Sequence, residues 1–262
     1  MDLQLNSKTA LVSGSTAGIG YAIAESLLRE GARVIVNGRT QAAVDQAVAK
    51  LKAAGGKVEG FAGDLGTAAA TEQLGRKFPE IDILVNSLGI FEPKPFEDIP
   101  DADWSRFFEI NVLSGVRLSR LYLPGMKKRD WGRIVFISSE SAVQIPAEMI
   151  HYGMTKTAQL AVSRGLAESL AGTGVTVNCV LPGPTRSRGV VDFVDALAKD
   201  EGKSFEAFEK EFFEKVRPTS LIKRFATPEE VASMVAYVCS PLASATTGAA
   251  LRVDGGTLKS AF

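Results

Sequence analysis

The 262-residue chain has little of several residue types on which whole classes of function depend. It contains a single histidine, His151, and two cysteines, Cys179 and Cys239, that lie far apart in sequence. So few nitrogen and sulfur ligands do not predict a zinc site or any other metal centre. Two thiols do not build a disulfide framework either, so we expect a reducing compartment.

The chain also lacks an excess of charge of either sign. Its 30 lysines and arginines are matched by 30 aspartates and glutamates, so the formal net charge is zero. Proteins that bind nucleic acids carry a basic excess, and we therefore expect no nucleic-acid partner.

Long apolar runs of the kind that enter membranes are missing as well. The uncharged stretch over residues 9–24 is shorter than the roughly 20 residues that a membrane span needs, and it contains three glycines. Residues 1–5 lack the basic start and apolar run of a signal peptide. We expect a cytoplasmic protein that does not associate with membranes.

Short β-branched apolar runs alternate with longer helical stretches along the chain. Strands joined through helices predict a parallel sheet with helices on both faces. Because no linker, repeat or low-complexity tract interrupts this alternation, we predict one α/β domain over residues 1–262. The predicted strands cover 8–13, 33–37, 57–62, 81–86, 133–138, 175–181 and 249–253, and the predicted helices cover 19–30, 41–54, 68–78, 101–126, 150–170 and 228–239.

One segment, residues 183–225, is too long for a simple connection between two elements. Long insertions in compact domains are commonly functional. This one is rich in phenylalanine, with charges between the aromatic residues, which favours amphipathic helices that cover a pocket. The alternative is that the rings pack on the sheet or on a neighbouring subunit. The phenylalanines are Phe193, Phe205, Phe208, Phe212, Phe213 and Phe225.

A glycine-rich turn follows the first predicted strand and opens the first helix. Glycines at Gly14, Gly18 and Gly20, with Ser15 and Ile19 between them, permit a tight turn and close approach to a pyrophosphate. The helix N-terminus adds free N–H groups and partial positive charge. The sequence therefore predicts a dinucleotide site here, although a merely tight turn is the alternative.

The second strand ends without the acidic residue that would hold the ribose hydroxyls of NAD. Arg39 stands there instead, and its planar guanidinium suits a phosphate. We therefore expect NADP to be preferred, with NAD possible and a solvated surface arginine as the alternative interpretation. Asp64, after the third strand, could accept a hydrogen bond from the adenine amino group or could serve only its own loop.

The strongest chemical signal is the set Ser139, Tyr152 and Lys156. Tyr152 and Lys156 are four residues apart and share a helix face. Tyrosine has a pKa near ~10, and a neighbouring ammonium is expected to lower it toward the working range. The Ser139 hydroxyl, at the end of a strand, could hold a carbonyl oxygen as charge develops. This set suits the reduction of a carbonyl group.

These residues resemble the single-domain branch of the short-chain dehydrogenase/reductase superfamily, and 3-oxoacyl-(acyl-carrier-protein) reductases in particular. The resemblance covers the whole chain. Gly14, Gly18 and Gly20 match the glycine pattern, Tyr152 and Lys156 match the Tyr-xxx-Lys pair, and Ser139 lies thirteen residues before the tyrosine. It implies a doubly wound Rossmann-type sandwich with a seven-stranded, mostly parallel sheet.

The same resemblance implies roles for further residues. Asn111 would hold a water in a proton relay, Lys156 would also hold the nicotinamide ribose, and Tyr152 would transfer the proton while the nicotinamide supplies hydride. Other residues would contact the cofactor. These are Leu65 beside Asp64, Asn86 and Gly89 after the fourth strand, and Pro182, Gly183, Thr185 and Ser187 after the sixth.

The chain departs from the family pattern at three places. Ser13, before Gly14, replaces the usual threonine and keeps the hydroxyl. Ser87 and Leu88 replace an asparagine and an alanine after the fourth strand, and the leucine adds bulk near the site. Ala17 stands where many NADP-dependent members have a basic residue, which leaves Arg39 alone to favour NADP.

The substrate is less well determined than the chemistry. A small-molecule ketone or secondary alcohol is expected, with a 3-oxoacyl thioester as one candidate and sugars, steroids or small ketones as others. A dinucleotide-binding protein without catalysis is the alternative from another class. The resemblance also implies a homotetramer assembled through the two long helices, with a dimer as second choice.

Overall fold

Seven parallel strands form one sheet in the computed structural model, which describes residues 1–187 and 204–261. The strand order is β3-β2-β1-β4-β5-β6-β7, and every neighbouring pair is parallel. The predicted Rossmann-type sheet is thus confirmed. Its strands are β1 (Thr9–Val12), β2 (Arg33–Gly38), β3 (Val58–Ala62), β4 (Ile83–Asn86), β5 (Gly132–Ile137), β6 (Val175–Pro182) and β7 (Ala250–Val253).

Helices cover both faces of the sheet. Leu11 of β1 packs into one hydrophobic cluster, whereas its neighbours Ala10 and Val12 pack into the other. This alternation is the two-residue period of a strand that is buried on both sides. The helices are α1 (Gly18–Arg29), α2 (Gln41–Ala53), α3 (Ala68–Lys77), α4 (Asp101–Phe108), α5 (Ser114–Lys128), α6 (Ile150–Glu168), α7 (Phe205–Glu211) and α8 (Pro228–Cys239).

The predicted helix over residues 101–126 contains a feature that the sequence did not reveal. A π-helical turn, Glu109–Leu113, separates α4 from α5. There the Asn111 carbonyl accepts a hydrogen bond from Gln159 Nε2 at 2.6 Å. A wide turn of this kind redirects side chains, and such turns occur frequently at functional sites.

The strand order reverses between β1 and β4, because the chain first builds outward to β3 and then returns to the other side of β1. Ligands of open α/β sheets bind beyond the carboxyl ends of the strands at such a reversal. The glycine turn follows β1, and Ser139 follows β5, so both lie at this edge.

The 183–225 segment is described in part. Phe193 lies outside the described residues. The described phenylalanines of α7 and the turn after it form a cluster around buried Phe213 and Phe225. This supports the expectation of amphipathic helices there, and α7 shows that one is formed. No helix within the described ranges is long and apolar enough to cross a membrane.

Candidate active site

The turn after β1 depends on its glycines. Gly14 and Gly18 have φ values of +62° and +59°, a region that residues with side chains rarely adopt. A Cβ on Gly20 would lie 2.4 Å from the Gly14 carbonyl oxygen. Ala17, the residue before α1, offers no side-chain cap to the first turn of the helix. The uncapped N–H groups and the close backbone fit the pyrophosphate of a dinucleotide.

Ser15, predicted to contact the cofactor, faces inward. Its hydroxyl donates to the Val12 carbonyl at 2.6 Å and accepts from the Asn37 N–H at 2.9 Å. Its own N–H donates to the Asn37 carbonyl at 2.9 Å. These bonds occupy both its N–H and its hydroxyl. Ser15 therefore connects the glycine turn to β2.

The bulk that Leu88 adds near the turn is directed into the core. Leu88 packs against the hydrophobic cluster on the α5–α6 side of the sheet. The N–H groups of Ser87 and Leu88 donate to the Ser13 hydroxyl at 3.0 and 3.1 Å. The departure from the family pattern therefore leaves the backbone at this turn anchored.

Arg39 and Asp64 both lie at the surface beyond the ends of β2 and β3. Asp64 Oδ1 accepts a hydrogen bond from the Gly66 N–H at 3.0 Å, so the loop function considered for it is present. Leu65 is buried. The contacts of all three residues with a cofactor remain predictions.

One cavity of about 670 Å³ joins the glycine turn to the Ser-Tyr-Lys set. It is lined by twelve of the predicted site residues, while Ser15, Arg39, Asp64, Leu65, Asn86 and Asn111 are not among its lining. The twelve are Gly14, Gly18, Ile19, Gly20, Gly89, Ser139, Tyr152, Lys156, Pro182, Gly183, Thr185 and Ser187.

Lys156 and Tyr152 face this cavity from the same side of α6. The Lys156 ammonium lies 5.5 Å from the centre of the Tyr152 ring. It donates to the Ile137 carbonyl at 3.0 Å, which ties it to the end of β5. The neighbouring Ser138 does not contact the Lys156 ammonium. Its hydroxyl donates to the Lys156 backbone carbonyl at 2.9 Å.

Asn111 lies behind the lysine rather than in the cavity wall. Its Oδ1 accepts from the Ile90 N–H at 2.8 Å, and its Nδ2 donates to the Ile90 carbonyl and to Thr155 Oγ1, each at 3.0 Å. The side chain therefore links the π-helical turn, the loop after β4 and α6. Its predicted part in a proton relay remains a prediction.

The pKa values of the pair differ from expectation. Burial, followed by the charge of Glu140, raises the pKa of Tyr152 above its usual value. The expectation of a lowered pKa is wrong here, because desolvation of the phenolate and the nearby Glu140 carboxylate outweigh the lowering by Ser139 and Arg217. Burial also lowers the pKa of Lys156 to about 8.

The segment after β6 closes one side of the cavity. A Cβ on Gly183 would lie 2.6 Å from the Asp254 carbonyl oxygen, so the chain passes close to the end of β7 there. The Thr185 hydroxyl donates to the Gly183 carbonyl at 2.9 Å, and the Ser187 N–H donates to the Thr185 carbonyl at 2.7 Å. Asn86 is buried, and its Oδ1 has no hydrogen-bond partner.

Sequence reasoning missed the residues that complete the wall. Glu140 directly follows Ser139, and an acid at the end of an apolar strand was the signal that could have revealed it. Arg217 comes from the far end of the 183–225 segment, where no local spacing connects it to the site. Apolar side chains that were also missed are Ile90, Phe91, Met149 and Val216, whereas Phe208, Phe212 and Phe225 belong to the phenylalanine-rich segment that was expected to cover a pocket.

His151, beside Tyr152, is a packing residue. It is fully buried, and its ring centre lies 4.0 Å from that of Phe107 and 6.0 Å from that of Trp104. Neither ring nitrogen has a hydrogen-bond partner. Within residues 1–187 and 204–261, no group of three histidine, cysteine, aspartate or glutamate side chains is placed to hold a metal ion.

A dinucleotide turn and a Ser-Tyr-Lys set in one cavity of a parallel sheet define a nicotinamide-dependent oxidoreductase that acts on alcohols and carbonyls. Residues 14–257 match the family model described as enoyl-(acyl carrier protein) reductase. The chain belongs to the short-chain dehydrogenase/reductase family.

Known relatives cover the chain from end to end. It is 50% identical over 264 residues to uncharacterized oxidoreductase YvaG of Bacillus subtilis, covering 100% of both chains. It is 37% identical to D-beta-hydroxybutyrate dehydrogenase of Cupriavidus necator, covering 96% of this chain and 98% of that one. L-sorbose reductase of Gluconobacter frateurii, solved with NADPH and L-sorbose, has a TM-score of 0.93 and 33% identity, covering 99% of this chain and 100% of that one.

Proposed function

We propose that this chain is an NADP-preferring enzyme that interconverts a ketone and a secondary alcohol, with Tyr152 as the general acid and base. The observation that carries the proposal is the single cavity that holds the glycine turn, Ser139, Tyr152 and Lys156. NADPH, when bound, supplies the hydride. The protein residues then have to orient the carbonyl and transfer one proton to its oxygen.

The glycine turn would hold the pyrophosphate of the cofactor through the uncapped N–H groups at the start of α1. Arg39 supports NADP because its exposed guanidinium forms no ion pair among the described residues and so is free to bind a phosphate. Lys156 would hold a ribose hydroxyl from its anchored position. Tyr152 would donate its proton to the carbonyl oxygen and, in the reverse direction, take it from the alcohol.

A 3-oxoacyl thioester is the first candidate substrate. Phe91, Met149, Phe208 and Phe212 give the outer cavity an apolar wall that suits an acyl chain. In this proposal the 183–225 segment acts as a lid, because Phe208, Phe212, Val216 and Arg217 reach the same cavity as Tyr152.

A small hydroxylated ketone is the second candidate. Glu148 and Arg217 place charged groups in the same wall, and such groups can bind hydroxyls that an acyl chain lacks. The L-sorbose reductase similarity points in the same direction.

The two candidates are separated by mixing the protein with acetoacetyl-CoA or L-sorbose and following the oxidation of NADPH and of NADH. We expect NADPH to be oxidised faster than NADH with one of these ketones, and Tyr152→Phe to remove the activity. Oxidation that persists in Tyr152→Phe would overturn the proposed mechanism. NADPH binding without turnover of either ketone would contradict both substrate candidates.

Assembly through α5 and α6 into a homotetramer is part of the proposal. Leu121 of α5 is 38% exposed and Phe108, at the end of α4, is 39% exposed, so apolar surface is available on this side. A monomer in sedimentation velocity would contradict it. The free and buried thiols Cys179 and Cys239 support a reducing, cytoplasmic location.

A further inference from the structure

Glu140 is a buried acid for which the proposed mechanism has no use. It directly follows Ser139 and is 6% exposed. A buried carboxylate is costly unless it is paired and hydrogen-bonded, so its partners indicate why it is there.

Both carboxylate oxygens of Glu140 have partners. Oε2 accepts a hydrogen bond from the Ser139 hydroxyl at 2.6 Å. Oε1 lies 3.4 Å from Nε of Arg217, whose side chain is 12% exposed. Arg217 Nη1 also lies 3.3 Å from Oε1 of Glu148, which is 47% exposed. The segment beyond β6 is thereby joined to the residue beside the proton-transfer site.

The contact with Glu140 determines which way the Ser139 hydroxyl points. A serine hydroxyl has one proton to donate and two lone pairs. The proton goes to Glu140, and one lone pair accepts the Ser141 N–H at 3.1 Å. The serine proton is thereby held by Glu140, and one lone pair of the hydroxyl oxygen is left.

Four charged side chains line the cavity that holds Tyr152 and Ser139. Lys156 lies on the same helix as Tyr152, Glu140 follows β5, and Arg217 comes from the turn after α7, with Glu148 beyond it. Glu140 makes the phenolate of Tyr152 less favourable, whereas Arg217 makes it more favourable. The two partners of one ion pair thus act on the tyrosine in opposite directions.

We propose that Glu140 and Arg217 are positioning residues for proton transfer: Glu140 holds the Ser139 hydroxyl, and Arg217 compensates the Glu140 charge. A residue of the turn after α7 and a residue after β5 then together set the electrostatics of Tyr152. This rests on the proposed function, in which Tyr152 transfers the proton.

The deciding experiment compares Glu140→Gln with Arg217→Gln. The readout is the pH profile of kcat/KM for NADP+-dependent alcohol oxidation, in which activity rises as Tyr152 loses its proton. The substrate is 3-hydroxybutyryl-CoA or sorbitol, according to which ketone is turned over. We expect the rising limb to move to lower pH in Glu140→Gln and to higher pH in Arg217→Gln, each by about one pH unit.

Three variants provide controls. Arg217→Lys keeps the charge and should return the profile toward that of the wild type. Lys215→Gln removes a cation from the same turn, where Lys215 pairs with Glu211 at 2.6 Å, and should leave the profile unshifted. Glu148→Gln should shift it less than Glu140→Gln, because Glu148 touches Arg217 and not Ser139. Should Glu140→Gln not fold, the two Arg217 variants decide the matter.

Shifts in the same direction, or no shift in either glutamine variant, would overturn the proposal. If no alcohol is oxidised, the proposed function fails while the electrostatic proposal is still decided by tyrosinate absorbance. Subtracting the absorbance of a Tyr152→Phe variant from that of its parent isolates the tyrosinate signal of Tyr152. With Glu140→Gln as the parent, this signal should begin to rise at lower pH than with the wild type as the parent. If the tyrosinate signal begins at the same pH in both pairs, or if neither pair shows a rise, the proposal is contradicted.

Discussion

The glycine turn after β1 and the proton-transfer site after β5 lie in one cavity but are built in different ways. At the turn, backbone atoms form the site. Gly20 has to lack a side chain, because a Cβ there would lie too close to a backbone oxygen. At the proton-transfer site, side chains from α6, β5 and the segment after β6 converge. A site made from backbone tolerates little variation, whereas a site made from side chains can change its charges while the fold stays the same.

The largest expected effect separates the two regions directly. Tyr152→Phe removes the proton donor but no group near the glycine turn, so kcat should fall about 10²–10⁴-fold while NADPH affinity stays within about twofold. Steady-state kinetics and fluorescence titration with NADPH measure the two quantities. A comparable loss in both would show that the two regions are not independent.

The proton-transfer site also differs from the glycine turn because it contains a buried titratable group, Lys156. The pKa of Lys156 is lowered to about 8 when folded, against about 10.4 in the unfolded chain. Between these values the unfolded state binds more protons, so the free energy of unfolding should increase as pH rises through this window.

Lys156→Met should lose that increase, which amounts to up to about 3 kcal/mol for a shift of this size. Urea unfolding of the two proteins across the window measures it. The exposed Lys50 on α2 offers a control, since Lys50→Met should keep the wild-type dependence. Parallel curves for wild type and Lys156→Met would mean that burial does not disfavour the ammonium.

Crowding distinguishes the glycine turn. Gly20→Ala would put a Cβ 2.4 Å from a backbone oxygen, so we expect a loss of about 1–3 kcal/mol in stability together with weaker NADPH binding. Gly165→Ala on α6 is the matched control, because nothing lies within 4 Å of its added Cβ. It should stabilise the protein by up to about 1 kcal/mol. Equal effects of the two substitutions in urea unfolding would contradict the close approach at the turn.

The smallest effect concerns cofactor choice. Arg39→Ala should weaken NADPH binding about tenfold, as for one lost charge-assisted hydrogen bond, and should leave NADH binding nearly unchanged. Arg76→Ala, which removes an exposed arginine from α3, should affect neither. An equal loss for both cofactors in Arg39→Ala would remove the argument for NADP.

Sequence reasoning succeeded where the signal is local. The order and type of the elements, the glycine turn and the Tyr152–Lys156 pair all follow from spacing within one strand or one helix. It did not reveal contacts that join distant segments. The inward orientation of Ser15 depends on Asn37 of β2, and the wide turn at Asn111 depends on Gln159 of α6.

The amino-acid sequence by itself determined the α/β class, the parallel sheet and the residues that mark a nicotinamide-dependent enzyme, because apolar periodicity and short spacings act over a few residues. Only the tertiary structure decided the electrostatics of the tyrosine. Glu140 and Arg217 are 77 positions apart, and no local sequence pattern indicates that they form an ion pair. Desolvation and ion pairing depend on what surrounds a group in three dimensions, and that is settled when the chain packs.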